Sequence, residues 1–325
     1  MRIPRRKFLH LVAGGAALPA VSRVARAQAY PSRPVRVIVP FAAAGPNDIV
    51  ARVVGQWLSE HLGHPFVIEN RPGAASNLGT EMVVHSPPDG YTALVVSSPH
   101  AINATLYDKL NFNFIRDIAP VAGIMRVPNV MVVAPSFPVQ SVAEFISYGK
   151  AHPGKLNFAS SGVGASNHMS GELFKAMTGL DMTHVPYRSS GPALTDLISG
   201  QVQVMFDALT STVEHIKAGR LRTLGVTTAT KAQALPETPV IADTVPGYEV
   251  SNWFGFGMPR NTSSDTITTF NHAVNGALAD AKLKVRLAEL GGILMPGSPA
   301  DFGKLIAEET EKWGNVIRSA HIKPA

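Results

Sequence analysis

The chain has 325 residues, of which 45% are hydrophobic and 16% charged, and it contains no cysteine. That length allows roughly two domains of about 100–200 residues each, and the composition excludes disorder, collagen and a disulfide scaffold. The absence of cysteine also excludes thiol catalysis and cysteine-held metals, and the formal charge of +6 raises nucleic acid as a partner only to lose it on inspection.

That charge is local. Arg2, Arg5, Arg6, Lys7, Arg23 and Arg26 lie in the first 29 residues, which hold no acid, leaving 23 basic residues against 23 acidic ones from Tyr30 onward. The folded chain is therefore formally neutral and carries no signature of nucleic-acid binding. The same 29 residues read as an export signal. A basic head is followed by an apolar stretch from Phe8 to Val21, then by Ala25-Arg-Ala-Gln-Ala29, which offers cleavage after Ala27 or Ala29. The stretch is too short to span a bilayer. Arg5-Arg6 followed by Lys-Phe-Leu favours the twin-arginine route over the Sec route. The expected location is the periplasm of a Gram-negative bacterium.

Strands and helices then alternate. Val35 to Pro40 is a short β-branched run and predicts a buried strand. A loop from Phe41 to Asn47 leads to apolar residues at helical spacing from Asp48. Phe66 to Glu69 is a second strand, Asn77 to Val84 a helix stopped by Pro87-Pro88-Asp89-Gly90, and Tyr91 to Ser97 a third strand. This order indicates a parallel, doubly wound sheet. A second unit of the same type follows. It has strands at Val130–Ala134, Leu156–Ala159, Met182–Val185, Val202–Phe206 and Leu221–Val226. Its helices follow Ser141, run from Asn167 to Met177, and run from Gly191 to Ser199. Ser141 with Glu144 forms a capping-box pattern. Beyond Tyr248 the chain returns through Trp253-Phe254, expected at the junction of the units, to helices near 264–280, 282–290 and 299–318.

Two strand-to-helix loops have the right chemistry for an anion. One is Val39 to Asp48 and the other Phe158 to His168. Both are rich in small residues, which let a ligand approach the main chain, and both open a helix, whose first turn presents unpaired N–H groups and a positive dipole end. Each loop alone also fits an ordinary turn, with Asp48 as a helix cap. Gly162-x-Gly164 lacks the third glycine of a dinucleotide fingerprint and the Lys-Ser/Thr ending of a P-loop. No Gly-x-Ser-x-Gly elbow supports a secreted hydrolase, and the eleven histidines show no HExxH spacing. No catalytic residue, metal site or cofactor is expected. His168 reads as a structural residue at the start of a helix, Asp196 as a local partner, and Arg188 equally as an anion attractor or an exposed charge.

At this point the residues resemble a family. Tyr30-Pro-Ser-Arg-Pro-Val-Arg-Val-Ile-Val-Pro-Phe41, Val67-Ile-Glu-Asn-Arg-Pro-Gly-Ala74, Pro88-Asp-Gly-Tyr91, Pro153-Gly-Lys-Leu-Asn-Phe-Ala-Ser160, Val185-Pro-Tyr-Arg188 and Gly200-Gln-Val-Gln-Val-Met-Phe-Asp207 occur in family order. They resemble the tripartite tricarboxylate transporter substrate-binding proteins, also called the Bug family of periplasmic receptors. The resemblance implies an α/β two-lobed periplasmic-binding-protein clamshell, each lobe a doubly wound, mostly parallel sheet. Residues 30–135 with 247–325 would form one lobe and 136–246 the other. It implies a monomer that binds a small mono-, di- or tricarboxylate between the lobes and delivers it to integral-membrane transporter subunits; a receptor read by a signalling protein is the alternative. Carried over by position, the first loop contributes Phe41, Ala42, Gly45 and Asn47, and the second Ser160, Ser161, Gly162, Ala165 and Asn167. Asp207 would select the distal part of the ligand, and Ser98, placed at the end of the third strand, is a candidate to reach the cleft. Ala44 in place of a family glycine, Asn47 in place of Thr or Ser, and Ser189 in place of glycine are departures that bear on which acid is bound.

Overall fold

The computed structural model describes residues 30–43, 45–107 and 109–324. The export signal lies outside these residues, and so does Ala44.

The chain begins with strand β1 (Val35–Val39), then helix α1 (Pro46–Leu62), β2 (Phe66–Asn70), α2 (Asn77–Val84) and β3 (Thr92–Ser97). Strand β1 lies between β2 and β3 and is parallel to both. Its residues Val35, Val37, Ile38 and Val39 are all fully buried, as expected for a parallel strand covered on both faces. Helix α1 packs on it through Val50, Ala51, Val54 and Leu58, one stripe at helical spacing. Fully burying side chains of this size stabilises by about 1.5–3 kcal/mol for each of the larger ones.

Next come α3 (Ser98–Leu106), the single turn α4 (Phe114–Asp117) and β4 (Ile118–Val133). Here the sequence reading needs correction. Only the last residues of β4 were expected, because Pro120 and Pro128 interrupt its pattern. Proline cannot donate to a ladder, and β4 accommodates the disruption through irregularities at Pro120/Ala122 and Gly123/Met125. Helix α3 was also missed, and it moves Ser98 from the end of a strand to the first residue of a helix.

The remaining elements are α5 (Val142–Ala151), β5 (Leu156–Ser160), α6 (Ser166–Thr178), β6 (Met182–Pro186), α7 (Ser190–Ile198), β7 (Val204–Ala208), α8 (Leu209–Lys217), β8 (Arg222–Val226), β9 (Ser251–Pro259), α9 (Ser264–Ala279), α10 (Ala281–Glu289), β10 (Ile293–Leu294) and α11 (Pro299–Ser319). Helix α5 starts at Ser141 as expected, and Ser141 accepts the Glu144 amide; the capping box is not completed, because Glu144 takes the Gln140 amide in place of that of Ser141. Helix α8, like α3, follows its strand with no intervening turn residues to announce it.

The strands run in the order β2-β1-β3-β9-β4-β7-β5-β6, with β8 and β10 also paired to β4. The outer strands are parallel in both halves, and the inner pairings of β9 and β4 are antiparallel. Strand β4 belongs to both halves. From Ile118 to Pro128 it pairs with β9, and from Asn129 to Val133 it pairs with β7 and β8. Thr227 pins the return crossing: its hydroxyl accepts the Asn129 amide at 2.9 Å and donates to the Val250 carbonyl at 2.6 Å. Side chains alternate across the strands, so Val37, Val95, Val130 and Ala159 lie in one apolar core and Ile38, Leu94, Met131 and Phe158 in another. The result is a periplasmic-binding-protein type α/β fold.

Candidate functional site

The carboxyl ends of β1, β5 and β7 open onto one cavity of about 500 Å³. Ligands in open α/β sheets bind at such strand ends. Helices α1, α6, α7 and α8 all begin at this wall, contributing Pro46 and Asn47, Ala165 to Asn167, Ser189 to Gly191, and Ala208 and Ser211. None of the four has a side-chain cap: Gly45, Ala165, Ser189 and Ala208 make no capping bond. Helices α5, α9, α10 and α11 start elsewhere, and each is capped by a serine or aspartate side chain. In α6 the His168 amide already has Asn167 Oδ1 as acceptor at 3.0 Å; the first-turn amides without one need an acceptor, and four positive dipole ends around one space favour an anion.

Each loop is held from behind. In the first, Asn70 Nδ2 donates to the Phe41 carbonyl at 3.1 Å and to Asp48 Oδ1 at 2.9 Å. Asp48 also takes Arg52 Nε at 3.0 Å, which fixes the first turn of α1. In the second, Ser160 Oγ accepts the Gly162 amide at 3.1 Å and lies 2.6 Å from His184 Nε2. The Ser161 amide and hydroxyl both donate to Asn167 Oδ1 at 3.1 Å. Asn167 Nδ2 then donates to Asp207 Oδ1. Ser190 Oγ adds a bond to Oδ1 at 2.8 Å, and Ser211 Oγ one to Oδ2 at 2.6 Å. Burial pushes the Asp207 carboxyl above its ordinary range, and the bonds from Ser211, Asn167 and Ser190 oppose that shift.

Under the second loop lies a stack of rings. His168 and His184 are 3.9 Å apart at 24°, and Phe158 lies 4.9 Å beyond His184. The Gly164 amide donates to His168 Nδ1 at 3.1 Å, so this nitrogen is the unprotonated one. Burial, then the neighbouring His184 and Lys175, brings His168 down to about 3; burial and Lys175 bring His184 down to about 4. His168 is thus a structural support, as its sequence position suggests.

Of the residues singled out in the sequence, Phe41, Asn47, Ser161, Gly162, Ala165, Asn167 and Asp207 line the cavity. Ala42, Gly45, Ser98 and Ser160 do not: Ala42 is exposed outside it, Gly45 precedes α1, and Ser160 is buried beneath the loop. Ser98 is one step removed, donating to Oδ1 of Asn252, which does line the cavity. Asp196 pairs locally, accepting the Tyr187 hydroxyl at 2.7 Å. Arg188 and Asp207 are the charged residues on the wall. Arg188 is exposed and has no hydrogen-bond or ion-pair partner among the described residues. Asn103, Asn129, Asn252 and Ala75 also line the cavity and were not foreseen. Asn103 sits on the unpredicted α3 and Asn129 in the unpredicted part of β4; for Asn252, the start of a strand beside the junction residue Trp253 was the available signal. No group of three or more His, Cys, Asp or Glu residues able to hold a metal occurs among the described residues.

Comparison with known proteins follows the same geometry. The family model for the tripartite tricarboxylate transporter family receptor matches residues 50–322. The protein BugT of Bordetella pertussis is 33% identical over 91% of this chain and 92% of its own length. A Rhodopseudomonas palustris protein solved with adipate is 39% identical with a TM-score of 0.83, over 91% of this chain and all of that one. MatC of the same organism, solved with bound malate, is 33% identical with a TM-score of 0.78, over 89% of this chain and all of that one.

Proposed function

This chain belongs to the tripartite tricarboxylate transporter receptor family, and on that premise we propose that it captures a small organic acid in the cleft and delivers it to membrane-embedded transporter subunits. It is a receptor and not an enzyme, like its relatives. One observation carries the choice of ligand: four helices start at the cavity without a side-chain cap. A carboxylate accepts several such amides at once, and a charge-assisted hydrogen bond is worth about 1.5–3 kcal/mol. The adipate and malate held by the two R. palustris relatives support an acid as the ligand class.

In this reading Phe41, Asn47, Ser161, Gly162, Ala165 and Asn167 meet the acid group, while Asp207 fixes the donors around it. Residues 30–128 with 251–325 form one lobe and 129–250 the other, because β4 leaves β9 at Pro128 and pairs with β7 and β8 from Asn129, which moves the division a few residues from the 135 and 247 read in the sequence; the protein works as a monomer. The lobes close about the two chain crossings at Asn129 and Val250, where β4 changes partners. Ligand favours the closed form through its greater affinity for that form. Family members are periplasmic receptors, and no helix among the described residues is long and apolar enough to cross a membrane. Residues 1–29 would then direct export, by the twin-arginine route.

The test is a thermal-shift panel of mono-, di- and tricarboxylates, followed by calorimetry. A true ligand at a hundredfold excess over Kd stabilises by about 2.7 kcal/mol. Absence of a shift with every acid would reject the reading.

A further inference from the structure

Three residues before α2 are wound against their chirality. Ala74, Ala75 and Ser76 have φ of 46°, 53° and 83°. Each non-glycine residue in this region brings its Cβ too close to the following carbonyl oxygen. Among the described residues, His321 is the other non-glycine with positive φ. Glycine would adopt the same turn freely, yet the chain has alanine, alanine and serine.

The turn is clamped from three sides. Asn103 Nδ2, on α3, donates to the Ala75 carbonyl at 2.6 Å, and Asn103 is only 2% exposed. Thr80 Oγ1 donates to the Ser76 carbonyl at 2.9 Å. Helix α2 packs so close to the first loop that a Cβ on Gly79 would sit 2.8 Å from Pro40 Cβ. Backbone held in an unfavourable conformation by its surroundings clusters where a site uses it. Ser76 is buried below the turn and Ala74 does not line the cavity; Ala75 does.

We propose that Ala75 is a specificity-determining residue: the left-handed turn holds its methyl group on the wall of the cleft beside the first loop, where it limits the length of the acid the site accepts. The inference rests on the carboxylate reading of the cleft. Ala75 is exposed, so its methyl group is free to meet a ligand in the cleft, and one methylene more or less against an apolar wall shifts preference about tenfold or more.

Calorimetry on the mature protein with succinate, adipate and suberate tests this in wild type, Ala75→Gly, Ala74→Gly and Ala75→Leu. Both glycine variants relieve the turn and raise the Tm of the unliganded protein. Ala75→Gly alone moves the affinity ratio toward the longer acids, by about tenfold. Ala75→Leu moves it toward the shorter ones. A ratio unchanged from wild type in Ala75→Gly, with the Tm raised, overturns the proposal and leaves the turn a structural one. Binding of no acid by wild type overturns the carboxylate reading, and the proposal with it.

Discussion

Asn167 donates through Nδ2 to Asp207 Oδ1 at 2.9 Å, and this bond ties the start of α6 to the end of β7. Asn167 Oδ1 meanwhile takes the Ser161 amide and hydroxyl. A buried carboxylate with no cation beside it thus organises donors on three elements. Replacing Asp207 with alanine strands the buried Asn167 Nδ2 without its acceptor and removes that of the half-buried Ser190, while Ser211 keeps the Ala208 carbonyl at 2.8 Å. Each buried group left unsatisfied costs about 1–3 kcal/mol. We expect Asp207→Ala to lose stability on that scale in urea unfolding and to bind acids more weakly in calorimetry.

The second loop offers main chain more than side chain. Ser161 Oγ is already spent on Asn167, so Ser161→Ala should weaken acid binding by only about 0.5–1.5 kcal/mol. Gly162 has φ of 129°, a conformation that side chains rarely adopt. Gly162→Val should therefore distort the loop, block approach to its amides and lose more affinity than Ser161→Ala. Calorimetry of both variants with the same acid checks the order; wild-type affinity in Gly162→Val would move the acid elsewhere.

Arg188 is the cation on the cavity wall, which it shares with the carboxyl of Asp207. Among the described residues it has no partner to release, so a second acid group on the ligand can meet it directly. Arg188→Gln should weaken dicarboxylates several-fold while leaving monocarboxylates near their wild-type affinity. It should also flatten the salt dependence of dicarboxylate binding, since an exposed ion pair is screened by salt. Equal losses for both classes would place Arg188 outside the recognition of the second group.

Acid should destabilise the protein from about pH 6.5 downward. His168 is held down to about 3, and His184 and His100 to about 4, with burial the largest cause for all three. The native state therefore keeps these rings neutral, while the unfolded chain takes up protons below about 6.5. Their contribution is complete above pH 6.5 and is lost as pH falls toward 4. By linkage each ring contributes to the loss, the fully buried His100 more than the half-buried His184, whose charge water partly screens. Urea midpoints at pH 7.5, 5.5 and 4.5 measure it, and His168→Gln should make the acid limb shallower.

The regular part of the fold was legible because its signals are local. Val35 to Val39 is a β-branched run, and the Ser141 and Glu144 pair marks a helix start. The two loops were singled out because each joins a strand end to a helix start through small residues, a pattern that an ordinary turn shares. The rest depended on distant partners. Residues 118–129 form strand because β9 lies beside them, in spite of two prolines. Helices α3 and α8 follow their strands directly, at Ser97–Ser98 and Ala208–Leu209, with no turn residues between. Asn103 and Asn252 enter the cavity wall through those long-range arrangements, which one-dimensional spacing does not encode. The departure of Ser160 from the wall has the opposite cause: it lies in a loop that reaches the cavity, but beneath it, bonded to the Gly162 amide and His184.

The continuity of β4 through both halves bears on how the molecule comes apart. Asn129 to Val133 complete the sheet of the second half while remaining covalently continuous with the sheet of the first. Excising residues 136–246 would remove the central ribbon of that half and expose its strand edges to water. Melting should accordingly proceed as one cooperative event, and neither half should survive limited proteolysis as an autonomous fragment.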